Sequence, residues 1–329
     1  MNKINKINLA DVDNSLTSIG TTYSGEFAGK YISAALLSGK TLSEGAVTIK
    51  PNVAYKEVIK KVSDDASFIQ DASCDFDLTA DVVSLTERIL EPSEFQVNLQ
   101  FCKKDFVSDW ESIQMGYSAY KQLPPKFSDF ILGHVVAKVA EKTEQNIWQG
   151  DANNAGEFDG FTTLLAADSD VQDALNASET EFTAGNIRTL LGNVVDKIPS
   201  AVYSKEDTTI YVPTAALQPF IRAMSGFGNN GAGAAGINNQ GDMWYNMGNA
   251  LSFEGLKIQH APGLPNDHIV AAQQSNLYFG TGLLSDHNEV KLIDLADIDG
   301  SQNCRVVMRY TAGVQYGIGS DIVLLTLAT

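Results

Sequence analysis

Residues 127–148, FSDFILGHVVAKVAEKTEQNIW, form one long amphipathic segment, and a strand-like run, VVSLTERILEPSEFQVNLQFCKKDF, precedes it from Val82 to Phe106. Phe127, Ile131, Val135 and Val139 recur at helical spacing, and Leu132, Val136 and Ala140 widen the stripe. Asp129, Glu141, Lys142, Glu144 and Gln145 fall outside it, which predicts that they face solvent. At about 1.5 Å per residue the helix would be roughly 30 Å long, the width of a small domain. Pro124 and Pro125 stop what comes before, Ser128 suits the first turn, and Gly150 opens the turn-rich DANNAGEFDG that ends the helix.

The preceding run has the other period. Phe95, Val97, Leu99 and Phe101 alternate with Gln96, Asn98 and Gln100, so a strand is expected with one face covered. AVTIKPNV upstream is also β-like, and a polar, Asp-rich stretch, Ser63 to Asp81, separates the two. Nearer the start, a polar arm gives way to a predicted helix, Glu26 to Leu37, with Phe27, Tyr31, Ala34 and Ala35 at helical spacing and Gly39 and Lys40 as its end. After the long segment, helix and strand alternate. Thr183 is a candidate cap for a helix carrying Ile187, Leu190, Leu191, Val194, Val195 and Ile198, with Pro199 as its stop. TTIYVP reads as a strand and TAALQPFIRAM as a helix capped by Thr214. Gly226 to Gly241 holds six glycines and four asparagines and reads as a flexible loop tip. LSFEGLKIQHAP, HIVAAQQ and NLYFGTG are short strands, and the tail CRVVMRYTAGVQYGIGSDIVLLTLA is two long apolar β runs joined at glycines.

A chain of 329 residues with 44% hydrophobic content can bury a sizeable core, and its length suits about two compact units. The formal charge of -17 argues against gripping a nucleic acid backbone, because such binding rests on Lys and Arg displacing counterions. Cys74, Cys102 and Cys304 are odd in number and far apart, so reduced, mostly buried thiols are expected rather than a disulfide framework. The N-terminus lacks the apolar core of a signal peptide, and no apolar run approaches the roughly 20 residues of a membrane span. A cytoplasmic site of synthesis follows.

The chemistry-bearing motifs are weak. Gly226, Gly228 and Gly231, and again Gly231, Gly233 and Gly236, satisfy GxGxxG, but a helix precedes them and no apolar-periodic segment follows. Ser38-Gly39-Lys40-Thr41 resembles the end of a phosphate loop, yet Ala34 stands where its first glycine belongs. His134 reads as a partly buried, satisfied histidine, while His260, His268 and His287 sit in or beside loops without metal-ligand spacing. Asp294, Asp297 and Asp299 lack the glycine and glutamate of a calcium loop, and no serine stands in a nucleophile elbow. No catalytic, cofactor-binding or metal residue is assigned, and no cofactor is expected.

Several segments then carry a resemblance in their order. LTERILEPSEFQVNLQFCKKDF, FSDFILGHVVAKVAEKTEQNIWQGD followed by EFDGF, TIYVP, LSFEGLKIQHAPGLPNDHIVAAQQSNLYFGTGL and RVVMRYTAGVQYGIGSDIV together resemble the major capsid proteins of tailed bacteriophages with the HK97-type fold, from residue 24 onward. The resemblance implies an α+β, HK97-like capsid fold. It places an N-terminal arm at 1–50, an extended β-hairpin loop (the E-loop) within 51–105, and a peripheral domain at 106–182 with a spine helix at 127–148. An axial α/β domain follows at 183–290, and a C-terminal β segment, 291–329, returns to the peripheral and axial core. Gly226, Gly228, Asn229, Asn230, Gly231, Gly233 and Gly236 would lie in a loop at the capsomer axis, where flexibility lets one chain meet five or six copies of itself.

The implied function is structural and non-enzymatic. Copies would self-assemble into hexamers and pentamers, forming an icosahedral virion shell around double-stranded DNA in the host bacterial cytoplasm, without sequence-specific binding and without a membrane. Phe95, Val97, Leu99 and Phe101 would be buried partly between subunits. Separate scaffolding, portal and decoration proteins are the implied partners, and the short stretch before Phe127 predicts no removed scaffold segment within the chain. Lys56, Lys60 and Lys61 are equal candidates for a crosslinking lysine. An encapsulin nanocompartment shell is the rival with the same fold, and an α/β enzyme using residues 183–290 is the rival of another class.

Overall fold

The computed structural model describes residues 39–64, 83–102, 125–174, 179–224, 251–282, 291–295, 301 and 303–328. The predicted helix at Glu26–Leu37, the loop Gly226–Gly241, Cys74, His287, Asp297 and Asp299 lie outside them. The chain divides into two compact units, one of Met1–Ser38, Glu94–Ala140 and Leu283–Thr311, the other of Gly39–Ser93, Glu141–Gly282 and Ala312–Thr329.

In the first unit the strand Asn303–Tyr316, through its leading residues, pairs antiparallel with Lys291–Asp294, Leu292 facing Val306 and Ile293 facing Arg305. It also pairs with Ser93–Cys102, the strand expected from the period-2 run. Cys304, Val306, Met308 and Tyr310 are buried while Arg305 and Arg309 are exposed, the alternation of a sheet covered on one side. The pleat places like with like: the Phe95 and Tyr310 rings lie 5.5 Å apart, and on the other face Arg305 Nε donates to Gln100 Oε1 at 2.7 Å. The long helix runs Pro125–Gln149, with Pro125 at its first turn, where a missing N–H costs nothing. Leu132, Val135, Val136, Val139 and Ala140 are buried, so the predicted stripe is the buried one from Leu132 onward. His134 is exposed rather than partly buried, because it points away from that stripe beside Gly133.

The second unit is built on a mixed sheet, six-stranded among the described residues. Its order is Gln172–Asp173, Val323–Thr326, His268–Gln273, Thr208–Val212, Leu256–His260, Leu251–Phe253. Every residue of Thr208–Val212 is buried, as expected for a strand with neighbours on both sides and helices above it. The helices Ile187–Lys197 and Thr214–Met224 cover the sheet through Ile187, Leu190, Leu191, Val194, Ala216 and Phe220. Leu251–Phe253 and Leu256–His260 are joined by Glu254 (φ 48°) and Gly255 (φ 85°), two left-handed residues whose twist matches a two-residue hairpin.

Thr183 caps as expected. Its N–H donates to Asn186 Oδ1 at 2.8 Å, and its Oγ1 accepts the Asn186 N–H at 3.3 Å. Thr214 does not. It is the first helical residue, its hydroxyl meets His260 Nε2 at 2.9 Å, and the Pro213 carbonyl accepts the Ala216 and Leu217 N–H groups instead. Gly39 precedes a single helical turn, Lys40–Ser43, and the helix that Gly39 and Lys40 were expected to end lies outside the described residues.

Glu144 is the largest departure from the sequence reading. Beyond Ala140 the long helix is covered on more than its apolar stripe, and Thr143, Glu144, Asn146, Ile147 and Trp148 are all buried. Trp148 is fully enclosed, its ring 5.5 Å from Phe161 and 5.1 Å from Tyr211, with Nε1 donating to Thr41 Oγ1 at 2.8 Å. The helix ends by close approach: a Cβ on Gly150 would stand 2.2 Å from the Phe158 carbonyl oxygen, and the Gly160 N–H donates to Gly150 O at 2.9 Å.

Candidate assembly surface

Upstream of Ser93, the second unit carries an antiparallel hairpin, Glu57–Asp64 with Val83–Leu90, in register from Glu57 opposite Leu90 to Asp64 opposite Val83. Among the described residues these two strands form a sheet of their own. Alternation gives the base of the hairpin two different faces. Glu57, Ile59 and Arg88 are half-buried and Leu90 is fully buried, packed so closely that a Cβ on Gly280 would meet its side chain at 2.9 Å.

An ionic clamp fixes this inner face. Arg88 pairs with Asp168 and lies 4.3 Å over the ring of Tyr316, whose hydroxyl donates to Asp168 Oδ2 at 2.7 Å. Burial alone would raise the Asp168 pKa, but the Tyr316 hydroxyl, the Asp170 N–H and the Arg88 guanidinium outweigh it and hold the carboxyl below its ordinary range. The same burial and the Asp168 contact push the Tyr316 phenol up. For a lowered carboxylate, the stabilisation is present above the ordinary aspartate pKa and lost as pH falls through the lowered one. Protection against hydrogen exchange in residues 83–92, corrected for intrinsic rates, should therefore be flat above about pH 4 and fall below it. An Arg88→Met variant should exchange faster throughout with a weaker acid dependence; identical profiles would remove the clamp from the account.

The outer face is differently made. Val58 and Ile89 stand directly opposite each other and are 44% and 49% exposed, and Tyr55, two residues before the strand begins, is 71% exposed. Rows of opposite charge flank this apolar pair. Lys56 Nζ lies 2.7 Å from Glu91 Oε2 on one side, and the register puts Lys60 opposite Glu87 on the other. Side-by-side apolar groups at this exposure keep roughly half of their burial energy in reserve, at about 25 cal/mol per Å² removed from water.

The four residues expected at a subunit contact divide. Phe95, Val97 and Phe101 are half-buried, and Phe95 already spends part of its surface on Tyr310. Leu99 is 40% exposed and is the member with most apolar area still facing outward. Gly226, Gly228, Asn229, Asn230, Gly231, Gly233 and Gly236 lie outside the described residues. Of the three lysines, Lys56 is engaged by Glu91 and by the Tyr55 ring at 5.2 Å, while Lys60 and Lys61 sit on opposite faces of one hairpin strand. The sequence reading passed over Val58, Ile89 and Tyr55, because only the strand register shows that the first two form a cross-strand pair.

His260 Nδ1 lies 3.2 Å from Lys40 Nζ, and burial together with that ammonium lowers its pKa. His268 bonds its neighbour Asp267 at 2.8 Å. Cys102, half-buried, and Cys304, buried, are not in disulfides. Among the described residues, no group of three or more His, Cys, Asp or Glu is placed to hold a metal ion, and no helix is long and apolar enough to cross a membrane.

No protein-family model and no curated protein matches this sequence. Solved structures do match. The capsid of a native GTA particle is 12% identical, with 98% of this chain and 96% of that chain covered at a TM-score of 0.58. The capsid of Myoviridae phage XM1 is 11% identical over 99% of this chain and 100% of that one, at 0.54. The capsid of the cyanophage P-SCSP1u is 12% identical over 98% and 93%, also at 0.54. At such identities the agreement concerns fold, and it runs through nearly the whole of each chain. The polypeptide is folded as phage capsid proteins are.

Proposed function

We propose that this chain, having the fold of phage capsid proteins, is the major capsid protein of a tailed bacteriophage, assembling into hexamers and pentamers that close an icosahedral shell around double-stranded DNA. The observation that carries the reading is the end-to-end match to capsid subunits, 98% of this chain against 96% of the GTA capsid chain.

The contacts we assign are the outer hairpin face, Tyr55, Val58 and Ile89, and the exposed end of the alternating strand at Leu99, each covered by a neighbouring copy. Val97 and Phe101 lie on the same alternating face and would be buried further on assembly, while Phe95 serves chiefly the subunit's own packing. Separate scaffolding and portal proteins would act in the host cytoplasm, with Gly226–Gly241 at the capsomer axis. Acidity suits this role, since a -17 chain surrounding DNA repels the packaged backbone rather than binding it. Single contacts can be weak because each subunit makes several at once.

Negative-stain electron microscopy of the purified protein, with DNA content read by nuclease protection, tests the reading. Closed shells that protect DNA support it. Shells filled with protein and free of DNA would transfer the chain to the nanocompartments, and a subunit that stays monomeric at high concentration would overturn shell formation altogether.

A further inference from the structure

Glu144 is a buried carboxylate outside the contacts assigned above. It accepts the Thr41 N–H at 3.1 Å and the Thr41 hydroxyl, and it also accepts the Gly263 N–H. Thr41 is held a second time by the indole of Trp148, and the Tyr211 hydroxyl donates to Ala46 O at 2.5 Å. The fit is close on both sides: a Cβ on Gly39 would stand 2.7 Å from Glu144 Oε2, and one on Gly263 would stand 2.1 Å from the Glu144 carbonyl oxygen. The turn that Glu144 holds is the first described segment after residues 1–38.

We propose that Glu144 is the proton-sensitive catch of a clasp fixing Gly39–Ala46 to the long helix, so that the point where residues 1–38 join the folded unit is held more firmly in mild acid than in alkali. Burial acts first, pushing the carboxyl above its ordinary range, and the Thr41 and Gly263 donors only partly offset it. Glu44, from the clasped turn itself, adds like-charge repulsion. That turn also carries Lys40, 3.6 Å from Glu44, and the strand end behind it carries His260. The loop Ala261–Leu264 has no titratable side chain, and Glu141 and Lys142, a turn back on the helix, are exposed. Tyr211, packed on Trp148, has its phenol pushed upward by burial. The sign follows from the raised carboxyl: its stabilisation is complete below the ordinary glutamate pKa and is lost as pH rises through the raised one.

A glutamine can keep the geometry without the charge. Its oxygen takes the backbone N–H groups and its amide faces Thr41 Oγ1. Hydrogen exchange of a peptide spanning 39–46, in the full-length protein and corrected for intrinsic rates, should lose at least about threefold protection between about pH 5 and about pH 9. Glu144→Gln should abolish that dependence and Glu44→Gln should keep it. Flat protection in the unmodified chain, a measurement that needs no variant, overturns the clasp, and so does an unchanged slope in Glu144→Gln. The inference concerns the folded unit and does not rest on shell assembly, so its failure would leave the capsid reading standing.

Discussion

Replacing Val58 and Ile89 together by aspartate is expected to abolish closed shells while the subunit keeps its secondary structure. Both side chains are about half exposed in the subunit, so neither substitution opens a cavity or strands a charge in the core. In a shell, each would lose roughly half of the 1.5–3 kcal/mol that full burial of such a side chain contributes, and would place a carboxylate in a closing apolar contact. A combined loss of about 2 kcal/mol weakens one contact about thirtyfold, and a shell repeats it in every subunit. Particle counts by negative stain, beside circular dichroism of the unassembled subunit, measure the two halves separately. Normal shells from the double variant would remove the hairpin face from the interface. Leu99→Asp tests the neighbouring strand in the same way. Phe95→Asp is less informative there, because breaking its contact with Tyr310 also costs the subunit stability.

The second large effect is internal. Trp148→Ala should destabilise the second unit by about 3–5 kcal/mol, the usual cost of emptying an enclosed aromatic site. Trp148 is fully buried between Phe161 and Tyr211 and also supplies the N–H that holds Thr41. Trp148→Phe separates the terms, since it fills most of the space and loses only the hydrogen bond, about 1 kcal/mol. Urea unfolding of unassembled subunits reads both. Equal losses for the two variants would mean that the hydrogen bond, and not the packing, dominates.

Local periodicity carried much of this fold. The stripe from Leu132 to Ala140, the alternation of Phe95 to Phe101, and the Thr208–Val212 strand each depend on neighbours a few residues away, and each was readable. The readings failed where the deciding partner is remote. Glu144 looked solvated because its own helix gives no reason to bury it; the turn around Thr41, more than a hundred residues earlier, does. Arg88 finds Asp168 across 80 residues, and Tyr316 reaches the same carboxylate from 148 residues away. Thr214 was assigned its cap from sequence spacing alone, and His260 took the hydroxyl instead. Of the surface proposed for assembly, the period-2 strand put Leu99 and its companions forward from sequence, whereas the Val58 and Ile89 pair exists only once the hairpin register is known.

The place of Val323–Thr326 bears on when a subunit becomes usable. This strand comes last in the chain among the described elements, yet it lies between Gln172–Asp173 and His268–Gln273. A nascent polypeptide halted before Val323 leaves both flanking strands without their shared neighbour, an open edge of the kind that invites aggregation. Closure joins segments far apart in sequence, which makes it a slow step. Completion of the sheet thus waits on a strand near the end of the chain.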